Sequence, residues 1–226
     1  MIPRIVEVRQ NVLRKNDELA RSLRTRFDAA GVFVVSLVSS PGSGKTELLQ
    51  RTLSEMRTTK QVAALVGDLA TDRDAQRLAR SGAPVRQITT GTVCHLDAQM
   101  VERALDGWDL DTLNVLFIEN VGNLVCPASY DLGEHARVVL MAVTEGEDKP
   151  RKYPTIFNSA DAALITKIDL ADAVDFNRDE AVASIRSVQP ELPVIEVSSR
   201  TPSGLAKWLR WLDATMNRAG VAARGH

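Results

Sequence analysis

A phosphate-binding loop is the stretch of this chain with the clearest chemistry. Its sequence is SSPGSGKT at residues 39–46, and it stands between an apolar run and a helix-like segment. A buried strand, a Gly-rich turn and a helix N-terminus aim several backbone N–H groups at one point, where the helix dipole also favours an anion. The residues expected to contact a nucleotide and its Mg²⁺ here are Gly42, Ser43, Gly44, Lys45 and Thr46.

The residue types of this loop each suit phosphate binding. Gly42 and Gly44 let the backbone come close, Lys45 would reach the β- and γ-phosphates, and the Thr46 hydroxyl would bind Mg²⁺. The loop departs from the pattern G-x-x-x-x-G-K-S/T at one position, where Ser39 replaces the first Gly. The order of strand, turn and helix is kept, so the sequence favours a phosphate loop over a plain Gly-rich turn.

Two acidic residues, Asp68 and Glu119, each follow an apolar strand-like run. The carboxyl ends of such strands are where open α/β sheets assemble their ligand sites. A carboxylate there could hold Mg²⁺, and Asp68 could instead orient an attacking water. Asp68 could also be a helix N-cap, although Asp72 and Asp74 are better placed for that. We assign catalysis to Lys45, Asp68 and Glu119, and Mg²⁺ binding to Thr46, Asp68 and Glu119.

The segment after Glu119 has the form of a nucleotide switch. Residues 119–122 read E-N-V-G, a variant of the D-x-x-G motif with Glu in place of Asp. The Gly122 amide could sense a γ-phosphate, so that the loop at 123–127 moves between nucleotide states. Cys126 lies on this candidate switch.

A base-binding motif follows a later apolar run as Thr166-Lys167-Ile168-Asp169, close to the N-K-x-D of GTPases. Asp169 can accept hydrogen bonds from the guanine N1–H and 2-amino groups, while the Lys167 stem can lie along the base. Thr166 keeps a hydroxyl but lacks the amide of Asn, which could weaken the tie to the phosphate loop.

Further nucleotide contacts are expected from two loops. Ser198, Ser199 and Arg200 follow the last strand, where GTPases carry an S-A-K-like loop over the guanine. Lys149 lies in a charge-rich loop on the ligand side of the sheet, where a cation could reach phosphate in its own or a neighbouring subunit. Most charge-rich loops are simply solvated, and Arg200 matches its motif loosely.

The residues of metal-binding type are Cys94, His95 and Cys126. An adjacent Cys and His are by themselves more often packing or surface residues than ligands. Two cysteines are too few for a disulfide framework. In a reducing compartment they are free thiols or metal ligands.

Composition excludes several classes of protein. The 226 residues include 28 basic and 29 acidic side chains, for a net charge of −1, and no basic block stands beside aromatic residues. A nucleic-acid footprint is therefore absent. The apolar runs are too short to span a membrane and the N-terminus lacks a secretory signal, so we expect a cytoplasmic protein without a membrane role.

The elements that position these residues are those of a single α/β domain. We predict a P-loop NTPase fold, with a largely parallel sheet flanked by helices. An amphipathic helix from Val8 to Ala29, with Leu19, Leu23 and Phe27 on one face, precedes it as a packing or partner surface. The predicted divisions are an N-terminal helical extension at 1–30, a GTPase domain at 31–217 and a frayed tail at 218–226.

Taken together, these motifs resemble the HypB family, the GTPases that assist nickel insertion into NiFe hydrogenase. Further segments carry the resemblance, which runs from about Val12 to Leu212: KNDE at 15–18, GDLATD at 67–72, CHLDA at 94–98, ENVGNLVCP at 119–127 and GEDKP at 146–150.

The resemblance implies a GTP-dependent homodimer with a Ni²⁺ or Zn²⁺ site at its interface, at the positions of Cys94, His95 and Cys126. It also implies a HypA-like nickel chaperone and the hydrogenase large subunit as partners. Many family members carry an N-terminal Cys-rich motif or a His-rich stretch. This sequence has neither, so we expect no separate nickel store.

Three alternatives stay open at this point. A P-loop small-molecule kinase would share the phosphate loop but would not need the base motif at 166–169. A nickel-binding protein with a structural nucleotide would bind GTP without turning it over. Urease-maturation GTPases are the nearest competing family, but they place a Pro between the Cys and His that are adjacent here.

Overall fold

Seven parallel strands form one sheet in the computed structural model, which describes residues 4–69 and 72–220, with side chains from Gln10 onward. The strands are β1 (Phe33–Ser39), β2 (Val62–Asp68), β3 (Val85–Thr89), β4 (Val115–Glu119), β5 (Ala136–Ala142), β6 (Ala162–Thr166) and β7 (Val194–Val197). Their order across the sheet is β3-β2-β4-β1-β5-β6-β7. The predicted α/β class with a parallel sheet is confirmed.

Helices connect the strands. In the described ranges they are α1 (Arg4–Ala30), α2 (Lys45–Met56), α3 (Arg73–Ala79), α4 (Ala98–Ala104), α5 (Lys149–Lys152), α6 (Pro154–Asn158), α7 (Arg178–Val188) and α8 (Leu205–Arg218). Short 3₁₀ turns lie at 110–112, 126–129, 143–145, 168–170 and 172–174. No helix of the described chain is both long enough and apolar enough to cross a membrane.

The sheet is buried on both faces, as parallel sheets are. One face packs against α2, α3 and α8, with Phe117 and Trp208 among its fully buried side chains. The other face packs against α1 and α4 toward β3, and against α6 and α7 toward β7. Because neither face of the inner strands is exposed to water, β1, β2, β4, β5 and β6 are largely continuous apolar runs. The edge strands β3 and β7 contain polar residues and are only partly buried.

Helix α1 packs its apolar face on the sheet through Ala20, Leu23 and Phe27, all of which are buried. It begins before the predicted Val8 and ends one residue after the predicted Ala29. Val12 points outward and is 48% exposed. The predicted division of the chain at residue 30 stays a prediction, although these contacts join α1 to the core of the sheet.

The C-terminal helix continues to Arg218, so the first position of the predicted frayed tail is helical. Residues 221–226 of that tail lie outside the described residues. Two positions of the GDLATD segment, Ala70 and Thr71, also lie outside them.

The carboxyl ends of the central strands bring the predicted site residues to one edge. In the sheet register Leu37 of β1 pairs with Glu119, and Val66 of β2 pairs with the same residue. On the other side of β1, Ala142 at the end of β5 pairs with Thr166. The loops that follow these strands therefore meet at a single edge, which is the ligand-binding edge of open parallel sheets.

Candidate nucleotide and metal site

The phosphate loop connects β1 to α2 with the geometry of an anion cradle. Gly42 and Gly44 adopt left-handed conformations, with φ of 77° and 87°, which glycine reaches without strain. Helix α2 begins directly after Gly44, so its first N–H groups face the loop. Sequence and structure thus agree on the position and the form of this loop.

Ser39, the residue that replaces the first Gly of the motif, is the hydrogen-bonding centre of the loop. Its hydroxyl donates to the Ser40 carbonyl at 2.8 Å and accepts from the Ser43 hydroxyl at 2.5 Å. It also accepts from Lys45 Nζ at 3.3 Å. The substitution therefore adds internal bonds to the loop and does not open it.

Glu119 lies beside the loop and is 2% exposed. Its Oε1 accepts from the Thr46 hydroxyl at 2.6 Å and lies 3.7 Å from Lys45 Nζ. Burial raises the pKa of Glu119, against the opposing influence of Lys45 and the Thr46 hydrogen bond. Within the described structure its Oε2 is buried without a hydrogen-bond partner. A carboxylate oxygen left in this state beside a threonine hydroxyl fits Mg²⁺.

A cleft of about 390 Å³ lies in front of these groups. Asp68, at the end of β2, lines it together with Asp74 and Arg77 of α3. Gly122 lines it from the other side, where an added Cβ would stand 3.0 Å from Pro41 Cα of the phosphate loop. The switch segment thus lies against the loop, as required if its amide is to sense a γ-phosphate.

A second cleft of about 460 Å³ adjoins the first and contains residues that were predicted to read the base. It is lined by Gly44, Glu47, Arg77, Thr166, Lys167, Asp169, Leu170, Ser199 and Arg200. Lys167 has a left-handed conformation with φ of 57°, and its Cε lies 3.8 Å from the place of a Cβ on Gly44. Its stem therefore runs between the phosphate loop and the base cleft.

The hydroxyls of Thr166 and Ser198 form hydrogen bonds that hold other residues of this cleft in place. The Thr166 hydroxyl donates to the Ser43 carbonyl at 2.6 Å, so the tie to the phosphate loop is retained without the amide of Asn. Ser198 is buried and does not line the cleft. Its hydroxyl donates to Asp169 Oδ1 at 2.6 Å and accepts from the Arg200 amide at 3.0 Å. Ser198 therefore orients the base-reading carboxylate.

Lys149 lies apart from both clefts. It begins α5, its Nζ is 3.5 Å from Glu145 Oε1, and it stands 5.4 Å from the centre of the Tyr153 ring. It lines neither the phosphate cleft nor the base cleft. Within one protomer the structure therefore brings Lys149 together with Glu145 and not with the predicted phosphate site.

Cys94, His95 and Cys126 form a cluster whose ligand atoms all lie within 4.8 Å of one another. The two Sγ atoms are 3.1 Å apart. Nδ1 of His95 is buried and has no hydrogen-bond partner in the described structure, while the ring packs on Tyr130 at 4.0 Å between centroids. Two sulfur atoms and an unpartnered imidazole nitrogen are the donor set that Zn²⁺ and Ni²⁺ select.

The shifted pKa values of the cluster favour metal binding at His95 and oppose it at Cys94. Burial lowers the pKa of His95, with Asp97 opposing it, so the imidazole stays in its neutral ligand form. The hydrogen bond to Cys126, together with burial, raises the pKa of Cys94. A metal must therefore displace a proton from the Cys94 thiol.

Two asparagines of the switch segment hold the loop that carries Cys94 and His95. Asn120 is 2% exposed, and its Oδ1 accepts from the Leu96 amide at 3.0 Å. Asn123 Nδ2 donates to the Cys94 carbonyl at 3.2 Å, and its Oδ1 accepts from the Val125 amide at 2.9 Å. Sequence analysis assigned neither residue a role, because an Asn after a strand has many possible partners and only the fold identifies them.

Comparison with known proteins places the chain among nucleotide-binding domains. A family model described as "CobW/HypB/UreG, nucleotide-binding domain" matches residues 33–196. The hydrogenase maturation factor HypB of Azotobacter vinelandii is 49% identical over 210 residues, which cover 93% of this chain and 69% of that protein. The hydrogenase/urease maturation factor HypB of Helicobacter pylori is 41% identical over 211 residues, with 92% and 86% covered.

A solved structure is similar over almost the whole chain. The crystal structure of HypB from Helicobacter pylori in complex with nickel superposes with a TM-score of 0.86 at 38% identity, covering 94% of this chain and 100% of that one. The share of this chain that superposes is larger than the stretch 33–196 matched by the family model.

Proposed function

This chain belongs to the CobW/HypB/UreG family and, within it, to the HypB proteins, and we propose on that premise that it hydrolyses GTP to GDP and phosphate in support of nickel insertion during NiFe-hydrogenase maturation. Family membership establishes a nucleotide-binding P-loop domain. The choice of GTP, its hydrolysis and the nickel client are the proposal.

One observation carries the proposal: the segment that closes the phosphate cleft also holds the thiol cluster. Glu119 and Gly122 line that cleft, while Asn120 and Asn123 bond to the backbone of the Cys94–Leu96 segment. A structural nucleotide beside an unrelated pair of cysteines would not need these bonds. Their presence supports a protein in which nucleotide state and metal binding are coupled.

For hydrolysis, Lys45 stabilises the charge that develops on the transferred phosphoryl group. Asp68 stands across the same cleft, where it orients the attacking water. Thr46, Glu119 and Asp68 would hold Mg²⁺, which when bound supplies neutralisation of the phosphate charge. The unpartnered Oε2 of Glu119 supports this assignment.

For selectivity, Asp169 accepts from the N1–H and 2-amino groups of guanine. Adenine presents no such pair of donors, so the pairing excludes it. Lys167 lies along the base, and Ser199 and Arg200 cover it. The Ser198 hydroxyl on Asp169 Oδ1 supports this role, because it fixes the carboxylate before the base arrives.

For metal handling, the thiolates of Cys94 and Cys126 and the imidazole of His95 bind Ni²⁺ or Zn²⁺. The described cluster offers three ligands from one protomer. A second copy of the chain across a two-fold axis would complete a coordination sphere, which supports a homodimer. In such a dimer Lys149 would reach the neighbouring subunit's phosphate site.

The remaining parts of the proposal follow from the relatives. A HypA-like nickel chaperone would deliver the ion, the hydrogenase large subunit would receive it, and the setting is the cytoplasm. The Helicobacter relative is named for hydrogenase and urease alike, which makes a urease-type client the second candidate. Capture of partners by the tagged protein from its own cells, followed by mass spectrometry, distinguishes the two clients.

The test of the core proposal is Lys45→Ala, with Lys60→Ala as the matched control. Lys60 pairs with Asp213 on the surface, 2.9 Å away and outside both clefts. We expect Lys45→Ala to abolish phosphate release from GTP while circular dichroism stays unchanged, and Lys60→Ala to keep full activity. Undiminished hydrolysis by Lys45→Ala would remove this residue from the site. Equal use of ATP would favour a kinase.

A further inference from the structure

Asn16 of α1 is a buried polar side chain that nucleotide chemistry does not explain. It is 7% exposed. Its Oδ1 accepts from the Ala98 amide at 2.9 Å, and its Nδ2 donates to the Asp131 carbonyl at 2.9 Å. Both of its polar atoms are therefore used, and each bond reaches a distant part of the chain.

The two partners of Asn16 belong to the segments that carry the metal ligands. Ala98 is the first residue of α4 and follows Cys94 and His95 after two intervening positions. Asp131 follows Tyr130, whose ring packs on His95, and both lie in the segment that begins at Cys126. One carboxamide thus connects the Cys94 side of the cluster to the Cys126 side.

Helix α1 is itself fixed independently of this residue. Leu23 and Phe27 are buried against the sheet. Arg24 donates to Asp131 Oδ1 at 2.7 Å and to the Glu134 carbonyl at 3.1 Å. Asn16 therefore stands on a helix fixed to the core, in contrast to Asn123, whose hydrogen bonds to Cys94 and Val125 belong to the candidate switch segment.

We propose that Asn16 is a positioning residue of the metal site, which sets the spacing of Cys94 and His95 against Cys126 from outside the nucleotide-binding domain. The inference deepens the proposed function and rests on metal binding by this cluster. Groups that orient metal ligands through hydrogen bonds typically contribute about 10- to 100-fold to metal affinity. Asn16 lines neither the phosphate cleft nor the base cleft, so we expect nucleotide binding not to depend on it.

The experiment compares Asn16→Ala and Asn16→Asp with Asn114→Ala. Asn114 is a matched control because it is also buried, at 9% exposure, and its Oδ1 accepts a backbone amide, that of Gln61, at 2.8 Å. Asn16→Asp keeps the acceptor for Ala98 but presents an oxygen to the Asp131 carbonyl, so it releases the Cys126 side alone.

Nickel and zinc affinities are measured by competition with a chelator in the GDP-bound full chain. The thiolate-to-nickel absorption is recorded for the same samples. The kcat and KM for GTP are measured separately, without added nickel or zinc. We expect both Asn16 variants to lose about 10-fold or more in metal affinity, with weaker absorption per bound nickel and GTP kinetics within about twofold of the unmutated protein. Asn114→Ala should lose stability but keep its metal affinity.

Metal affinity within twofold of the unmutated protein in Asn16→Ala would overturn the inference, and so would an equal loss in Asn114→Ala. If Asn16→Ala does not fold, Asn16→Asp decides by the same threshold. Failure of the unmutated protein to bind either metal would instead refute the metal part of the proposed function, and the inference with it.

Discussion

Asp169 is the residue that we predict to select the base in the second cleft, and its surroundings hold its carboxylate in one orientation. The Ser198 hydroxyl bonds to one of its oxygens, and two backbone amides, those of Arg200 and Thr201, in turn bond to that hydroxyl. The carboxylate is thus oriented by the loop after β7, while the side chain itself remains exposed. Orientation before binding is what gives a hydrogen-bonding site its selectivity.

Asp169→Asn should reverse the preference of the protein from guanosine to xanthosine nucleotides. An amide presents a donor where guanine also presents donors, so GTP affinity should fall by about 100-fold or more. Competition binding with GTP, XTP and ATP measures the change. Asp172→Asn is the control, because Asp172 lies on the same loop with its side chain fully exposed. An unmutated protein that binds ATP and GTP equally would contradict the base assignment.

Metal affinity should fall as pH is lowered, and Cys94 is the first cause. Its pKa is raised, so below that pKa a proton occupies the sulfur and competes with the metal. The pKa of His95 is lowered, so the imidazole stays neutral until more acid pH and contributes little to the initial loss. Below the pKa of Cys94, we expect metal affinity to fall about tenfold for each pH unit of acidification, because one proton competes with the metal for the sulfur.

Chelator competition between pH 8 and pH 6 measures this dependence. Cys94→Ala should bind metal more weakly throughout and with a shallower pH slope. An affinity that does not change over this range would show that no thiol is deprotonated on binding.

The residues that sequence identified are those whose role follows from their own type. Lys45, Thr46 and Asp169 stand in motifs whose chemistry is local. Asn16 lies in the KNDE segment that carries the family resemblance. No role was predicted for it, because the apolar spacing of α1 indicated only a packing face. It lies on the buried face with Ala20. A polar residue on such a face was the available signal, but nothing in the sequence identifies Ala98 and Asp131 as its partners.

Among the elements, α8 depends on one glycine at its start. Gly204 is the N-cap of the helix, with φ of 75°, and an added Cβ would overlap the Glu196 carbonyl oxygen. The close approach lets the loop after β7 turn tightly into α8, whose Trp208 donates to the Thr52 hydroxyl of α2 at 3.0 Å. The base-covering loop and the core are therefore connected through this turn.

Gly204→Ala should destabilise the protein by more than about 2 kcal/mol, because backbone must move to admit the methyl group. Gly107→Ala is the matched control, with φ of 73° and no atom within 4 Å of its added Cβ. It should cost only the left-handed strain of alanine, about 1 kcal/mol. Denaturant unfolding of both variants measures the difference, and equal losses would show that the contact with Glu196 is relieved without cost.

Element types and their order were predictable from sequence, because buried parallel strands are unbroken apolar runs separated by turn residues. The ends of the helices were less predictable from sequence. The end of α1 is marked by Gly31, with φ of 69°, whereas α8 continues to Arg218 without such a stop signal. The placement of Lys149 against Glu145 also depends on how the short helix α5 folds, which periodicity over four residues cannot show.

For the whole molecule, GTP should promote dimerisation and change metal affinity, and metal should change GTP-driven dimerisation by the same factor. The physical connection is the switch segment, which lines the phosphate cleft through Gly122 and bonds to Cys94 through Asn123. Couplings of this kind are typically about 5- to 150-fold. Sedimentation and metal titration with GDP and with a non-hydrolysable GTP analogue measure both directions.

Cys94→Ala and Cys126→Ala separate nucleotide binding from metal binding, the two equilibria that this linkage connects. Each should still bind nucleotide, since neither residue lines the phosphate or base cleft. Each should lose the effect of metal on dimerisation. Identical metal affinity and stoichiometry in the unmutated protein and in both variants would show that the cysteines are packing residues.

The ribosome synthesises the strands in the order β1 to β7, which differs from their order across the sheet. β1 is made first, yet Phe33 pairs with Val115 of β4 and Val35 pairs with Ala136 of β5. The strand before the phosphate loop therefore has no neighbour until β4 has left the ribosome, and it lacks its second neighbour until β5 has followed. Such long-range pairings form slowly. A nucleotide consequently has no fully paired cradle on a nascent chain that ends before β5, and the strand before the phosphate loop gains both neighbours only after residue 142 has been made.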